Sequence, residues 1–226
     1  MARTDALYGS VTRNGVVLNH LGRAGRAEVP ERSAGILPYR RRGGGDGDGI
    51  GGIGGIGVEV FLGHMGGPYW AKKDARGWSV VKGLVEEGES ELDAALREFE
   101  EETGHPLPGA GAGAGASAGA GSVAGAGSVA GADAWSGAGA GLQRLGEFRQ
   151  PSGKRVTVFV VEIDELPPLE GGSVFELEWP PRSGRMQSFP EIDRLEWFTL
   201  EVAAEKLVAG QLPVLDALRE HLAAGG

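Results

Sequence analysis

The chain has 226 residues, 41% hydrophobic and 23% charged, and its 31 Asp and Glu against 22 Lys and Arg leave a formal charge of −9. That balance excludes the basic footprint that neutralises nucleic-acid phosphates or an anionic membrane, and the absence of cysteine removes disulfides, thiolate metal sites and Cys nucleophiles. No run approaches the ~20 apolar residues of a membrane helix and the first residues lack an apolar signal core, so a cytoplasmic protein without membrane or stable nucleic-acid partners is expected.

Residues 1–31 are polar, Gly-interrupted and weakly patterned, which predicts a flexible N-terminal extension ahead of a single domain over 32–226. Ser33–Arg41 reads as a strand that runs into the basic triplet Arg40-Arg41-Arg42, with Val58–Leu62 as its hairpin partner. Between them, 43–57 holds 10 of the 42 glycines, and 109–141 holds another 12. Neither composition can bury a core, so both read as insertions, whose closure cost grows only slowly with length. The tandem hexamer Gly-Ser-Val-Ala-Gly-Ala starting at Gly121 and Gly127 is too short to build a solenoid.

Trp78–Lys82 is expected as a short strand before Gly83, and Ser90–Thr103 as a helix stopped by Gly104, with Pro106 and Pro108 beyond it. Leu142–Phe148 and Arg155–Ile163 follow as strands, then shorter ones at Phe175–Trp179 and Leu195–Phe198. Helical patterns over Glu201–Ala209 and Leu212–Ala223, broken at Gly210, close the chain.

The helix over 90–103 carries the chemistry. At 100° per residue Glu98, Glu101 and Glu102 fall within about 100° of one another, and Leu92, Ala95, Leu96 and Phe99 form a separate apolar stripe. Arg97 lies one turn from Glu101 and can neutralise it. Like charges at this spacing destabilise a helix unless a hard cation such as Mg²⁺ reverses the sign. An acidic helix face is otherwise usually just solvated.

The flanking residues discriminate between these readings. Gly83, Glu89, Arg97, Glu98, Phe99, Glu101, Glu102 and Gly104 stand at the spacing Gly-x5-Glu-x7-Arg-Glu-U-x-Glu-Glu-x-Gly-U, U being bulky and apolar. Only His105 departs from it. This pattern resembles the Nudix box. Trp78-Ser-Val-Val-Lys82-Gly83 resembles the family's entry segment, with Val81 in place of a proline, and Ser188–Phe198 resembles its later Trp-Phe strand. The resemblance spans residues 32–220 apart from the two insertions, and is closest to bacterial predicted nucleotide pyrophosphohydrolases.

The resemblance implies an α/β fold, a Nudix-type α/β/α sandwich with a mixed sheet and a catalytic helix. It implies Mg²⁺ (or Mn²⁺) held by Glu98, Glu101 and Glu102, with the Gly83 carbonyl as a further ligand. It also implies that a metal-activated water hydrolyses a phosphoanhydride in a nucleoside or dinucleoside polyphosphate such as diadenosine tetraphosphate. Glu191 is the candidate outside base, Lys82, Arg41 and Lys154 the candidate phosphate contacts, and Glu89, Arg97 and Gly104 the motif's structural members. The competing functions are a nucleotide-sugar or damaged-dNTP pyrophosphatase and a non-catalytic nucleotide-binding module. Tyr69, Trp70 and Phe189 could stack on a base but read more simply as packing; His64 and His20 have no partner at ligand spacing and receive no role.

Overall fold

The computed structural model describes residues 12–13, 16–17, 31–43, 56–107 and 141–225. Most of the expected N-terminal extension and, apart from their margins, both Gly-rich insertions lie outside these residues. Two short strands come first, β1 (Thr12–Arg13) and β2 (Val16–Val17), then β3 (Arg32–Gly43), β4 (Ile56–Met65), β5 (Trp78–Ser79) and β6 (Val81–Leu84). Helix α1 (Glu91–Thr103) precedes β7 (Gln143–Arg149), β8 (Arg155–Glu162), β9 (Val174–Glu178), β10 (Met186–Pro190) and β11 (Ile192–Thr199). The chain closes with α2 (Leu200–Lys206), a 3-10 turn (Ala209–Gln211) and α3 (Leu212–Ala223).

The main sheet has the order β11-β4-β3-β8-β7 and is mixed, because β3 runs parallel to β8 while its other neighbours are antiparallel. Alternation along each strand sends side chains to opposite faces. Leu37, Tyr39, Val60, Leu62, Val156, Val158 and Val160 meet Leu200 and Ala203 of α2 and Val214, Leu215 and Leu218 of α3. On the other face Ala34, Ile36, Val81, Phe159 and Val161 meet Ala94, Ala95 and Phe99 of α1. The result is the α/β/α sandwich, with the sheet between one helix and two.

β3 is central, and one of its edges is shared. Ser33–Ile36 pair with β6 and Tyr39–Gly43 with β4, so β4 and β6 part from each other along the same edge. α1 covers this fork. Its N-terminus is capped by the Ser90 hydroxyl, which accepts from the Asp93 N–H, and it ends where Gly104 takes the left-handed conformation with φ 81°. A side chain at Gly104 would also strike the Glu170 carbonyl. Burying Phe99 alone contributes about 2–3 kcal/mol, which fixes the helix face against the sheet.

Several elements differ from the sequence expectation: β1 and β2 fall within the extension expected to be flexible, and the strand expected over 78–82 divides into β5, paired with β4, and β6, paired with β3. The helix expected to reach Ala209 stops at Lys206, because Leu207 turns extended, is fully buried, and leads Val208 to donate to the Trp78 carbonyl at 2.9 Å. The strand β10 was not anticipated. Its Met-Gln-Ser-Phe-Pro sequence lacks alternation, and it forms only by pairing with β9 in a separate small sheet that β1 and β2 extend. Among the described residues no helix is long and apolar enough to cross a membrane.

Candidate active site

The fork between β4 and β6 meets the carboxylate face of α1. Of its three glutamates, Glu98 and Glu102 are buried and Glu101 is exposed. Helical angle alone put them on an equal footing; the sheet beneath separates them. Glu98 packs directly onto β6 at Gly83, where an added Cβ would sit 1.9 Å from the carboxyl carbon. Glycine is required there for space, not for conformation. Glu102 accepts from the Lys82 backbone N–H at 3.0 Å, on the edge of β6 that has no neighbouring strand among the described residues.

Arg97 organises the motif. Its Nε and Nη2 each lie 2.9 Å from a Glu89 oxygen, a bidentate pair, and Nη2 also donates to the Leu84 carbonyl at 2.9 Å. Nη1 reaches Glu98 at 2.9 Å and Glu101 at 3.3 Å. The Arg97 hydrogen bonds hold the Glu89 carboxyl below its ordinary range, and Glu89 and Glu98 strengthen the hold of Arg97 on its own proton. Glu89 further accepts from the Glu86 N–H, tying the 85–90 loop to the helix.

Glu102 has the opposite environment. Burial pushes its carboxyl up to about 8; Lys82 opposes the rise, and Glu191 and Glu98 add to it. Glu191 is thus electrostatically coupled to the α1 carboxylates, although it lies in the sequence 89 residues away. It is the single residue between β10 and β11, and its carbonyl accepts from Gly66 N–H at 2.8 Å. Lys154, at the turn into β8, is pushed down by burial first and by Lys82 second, while Glu98 acts in the other direction. Two lysines and the buried carboxylates therefore share one electrostatic neighbourhood.

Arg41, expected as a phosphate contact, lies apart from them. It pairs with Glu162 at 3.6 Å and lies seven residues along β3 from Ala34, the partner of Gly83, a span of about 23 Å. The basic run at the end of a strand points to a surface that the strand's length removes from the fork.

The donors suit a hard divalent cation: carboxylate oxygens, one of them on Glu102, whose burial disfavours its ionised form. Among the described residues no three acidic or imidazole side chains are gathered closely enough to enclose an ion. Glu98 is turned to Arg97 and Glu102 to the Lys82 N–H. Sequence spacing also gave no sign of His64, which is buried and bonded to Asp193 across 129 residues of chain.

Residues 58–113 match the family model of the NUDIX domain. No curated protein matches the chain. Solved structures with similar folds include a C. elegans Ap4A hydrolase binary complex, at 18% identity and a TM-score of 0.45 over 86% of this chain and 98% of that one. A mutT/nudix family protein from Listeria innocua gives 16% identity and 0.45 over 86% and 96%. The NUDIX domain of Shewanella oneidensis NrtR, complexed with ADP ribose, gives 13% and 0.44 over 86% and 90%.

Proposed function

We propose that the chain is a Nudix hydrolase, on the match of residues 58–113 to the NUDIX domain, and that it hydrolyses a phosphoanhydride bond in a nucleoside or dinucleoside polyphosphate with a divalent cation as cofactor. The observation that carries this reading is the burial of Glu98 and Glu102 together on one face of α1, against Gly83 and the Lys82 N–H of β6. Buried carboxylates are expensive to assemble unless a cation is shared among them.

Glu98, Glu101 and Glu102 would hold Mg²⁺ or Mn²⁺. A bound divalent cation supplies charge neutralisation at the diphosphate and lowers the pKa of a water. Lys82 and Lys154 would meet substrate phosphate as point charges. Glu191, on the strand junction across from α1, is positioned on a backbone bonded to Gly66 and Ser173 and would accept a proton as general base. Glu89, Arg97 and Gly104 orient these groups without touching substrate.

A screen of phosphate release across nucleotides, dinucleoside polyphosphates and nucleotide sugars, with Mg²⁺ or Mn²⁺ and with chelator, tests the reading. Cation-dependent release from a polyphosphate substrate, reduced by orders of magnitude in Glu102→Gln, is the expected result. Binding of nucleotide without turnover in every arm would instead favour a non-catalytic module.

A further inference from the structure

His64 ends β4 with its side chain fully buried, and both of its ring nitrogens face oxygen. Nε2 lies 2.7 Å from the Lys73 carbonyl, and Nδ1 lies 2.7 Å from Oδ1 of Asp193. A carbonyl only accepts hydrogen bonds, an ionised carboxylate only accepts them, and a neutral imidazole has a single N–H. Two acceptors at this distance call for a proton on each nitrogen, or for one on Asp193. Arg194 Nε donates to the same Asp193 oxygen at 3.3 Å, so that oxygen is already engaged as an acceptor. The second proton therefore goes to the ring.

The other charged side chains on the elements around the ring are already engaged. Lys73 lies over the Trp70 ring, Asp74 accepts from Trp78 Nε1 and pairs with Lys206 of α2, and Arg76 donates to the Ala204 and Leu207 carbonyls. Trp78 closes the remaining side, edge-on to the imidazole at 5.0 Å.

The geometry points to His64 as a positioning residue: an imidazolium clamp that ties the 66–77 segment to β11 and thereby holds Glu191 against the α1 carboxylates. Asp193 is two residues beyond Glu191, and Gly66, two beyond His64, donates to the Glu191 carbonyl at 2.8 Å. A Cβ on Gly66 would fall 2.0 Å from the Pro190 carbonyl oxygen, so the two segments are in backbone contact at this point. One charged group thus secures the 66–77 segment and β11, both of which border Glu191. The clamp rests on the proposed hydrolytic reading only for the role of Glu191.

The test reads the clamp without turnover. In ¹⁵N spectra of the full chain at neutral pH, both ring nitrogens of His64 are expected in the protonated range. Asp193→Asn offers an amide that either donates or accepts, so the ring should revert to one protonated and one unprotonated nitrogen. In Asp193→Asn and in His64→Gln, amide exchange at Gly66 and Glu191 should rise about tenfold or more, while Glu89 and Ala94 on the α1 side keep their rates. An unprotonated His64 nitrogen in the wild type overturns the clamp, as does unchanged exchange at Gly66 and Glu191 in both variants. Failure of the hydrolytic reading would show separately, as a wild-type protein without cation-dependent phosphate release.

Discussion

The carboxylate of Glu98 occupies the volume that a side chain at Gly83 would fill, 1.9 Å from the position of its Cβ. Helix and strand are in register at this contact, so the motif's first glycine and its central glutamate act as one unit. Gly83→Ala should displace the carboxylate by a fraction of its own length. The expected result is a loss of activity on the order of 10²-fold together with about 1–3 kcal/mol of stability, measured by kcat and by denaturant unfolding. An active, equally stable Gly83→Ala protein would show that the contact relaxes freely.

Arg97 and Glu89 make the opposite kind of contact, attractive and bidentate. Glu89 titrates lower in the folded state than in the unfolded chain because of the Arg97 hydrogen bonds. Its contribution to stability is therefore present above the unfolded value and is lost as pH falls through the folded one. Glu89→Gln should lower the thermal midpoint at neutral pH, and the gap to wild type should close in acid. Arg97→Lys should behave similarly at neutral pH, because a point charge cannot replace the fork that meets Glu89.

For Glu102 the sign reverses. The unfolded chain protonates this carboxyl near 4.5, and the folded, cation-free protein holds the proton to about 8. The folded state binds more protons within that window, so this group's contribution to stability falls as pH rises from about 4.5 to about 8. Thermal midpoints recorded in chelator across this range should show the decline. Glu102→Gln should flatten it, and Mg²⁺ should flatten it in the wild type. A slope unaffected by either would separate the buried carboxyl from cation binding.

Lys154 and Arg41 form a matched pair of tests, since the first lies beside the buried carboxylates and the second far along β3 from them. Lys154→Ala should raise KM for a polyphosphate about tenfold, the scale of one charge-assisted contact. Arg41→Ala should leave kcat and KM within about twofold of wild type, its loss being that of an exposed pair with Glu162. A KM effect at Arg41 would place phosphate much farther along β3 than the carboxylates allow.

The parts legible in the sequence were those encoded locally. Ser90 and Gly104 bracket α1 by capping chemistry that spans a few residues, and the Gly83-to-Gly104 spacing carries the Arg97–Glu89 contact within it. Alternation marked β8 and most of β3. What escaped depends on contacts made far along the chain. β10 exists because β9 pairs with it, and α2 ends early because Leu207 is drawn into the core beside Trp78. Glu98 and Glu101 look alike on a helical wheel; only the position of β6 buries one and exposes the other. His64 and Asp193 carry no spacing signal, and charge at a strand end, as at Arg41, says nothing about which end lies near the carboxylates.

The shared edge of β3 has a further consequence. Where two strands diverge, backbone donors lose the neighbour that a continuous ladder would give them, and an unmatched N–H in a dry interior is costly. Here the Lys82 amide is satisfied by the Glu102 carboxylate. The defect in the sheet and the acid that plugs it are thus interdependent: the seam gives the carboxylate a reason to be inside, and the carboxylate lets the seam stay open. Replacing Glu102 by an apolar residue would leave a gap in the architecture as well as in the chemistry.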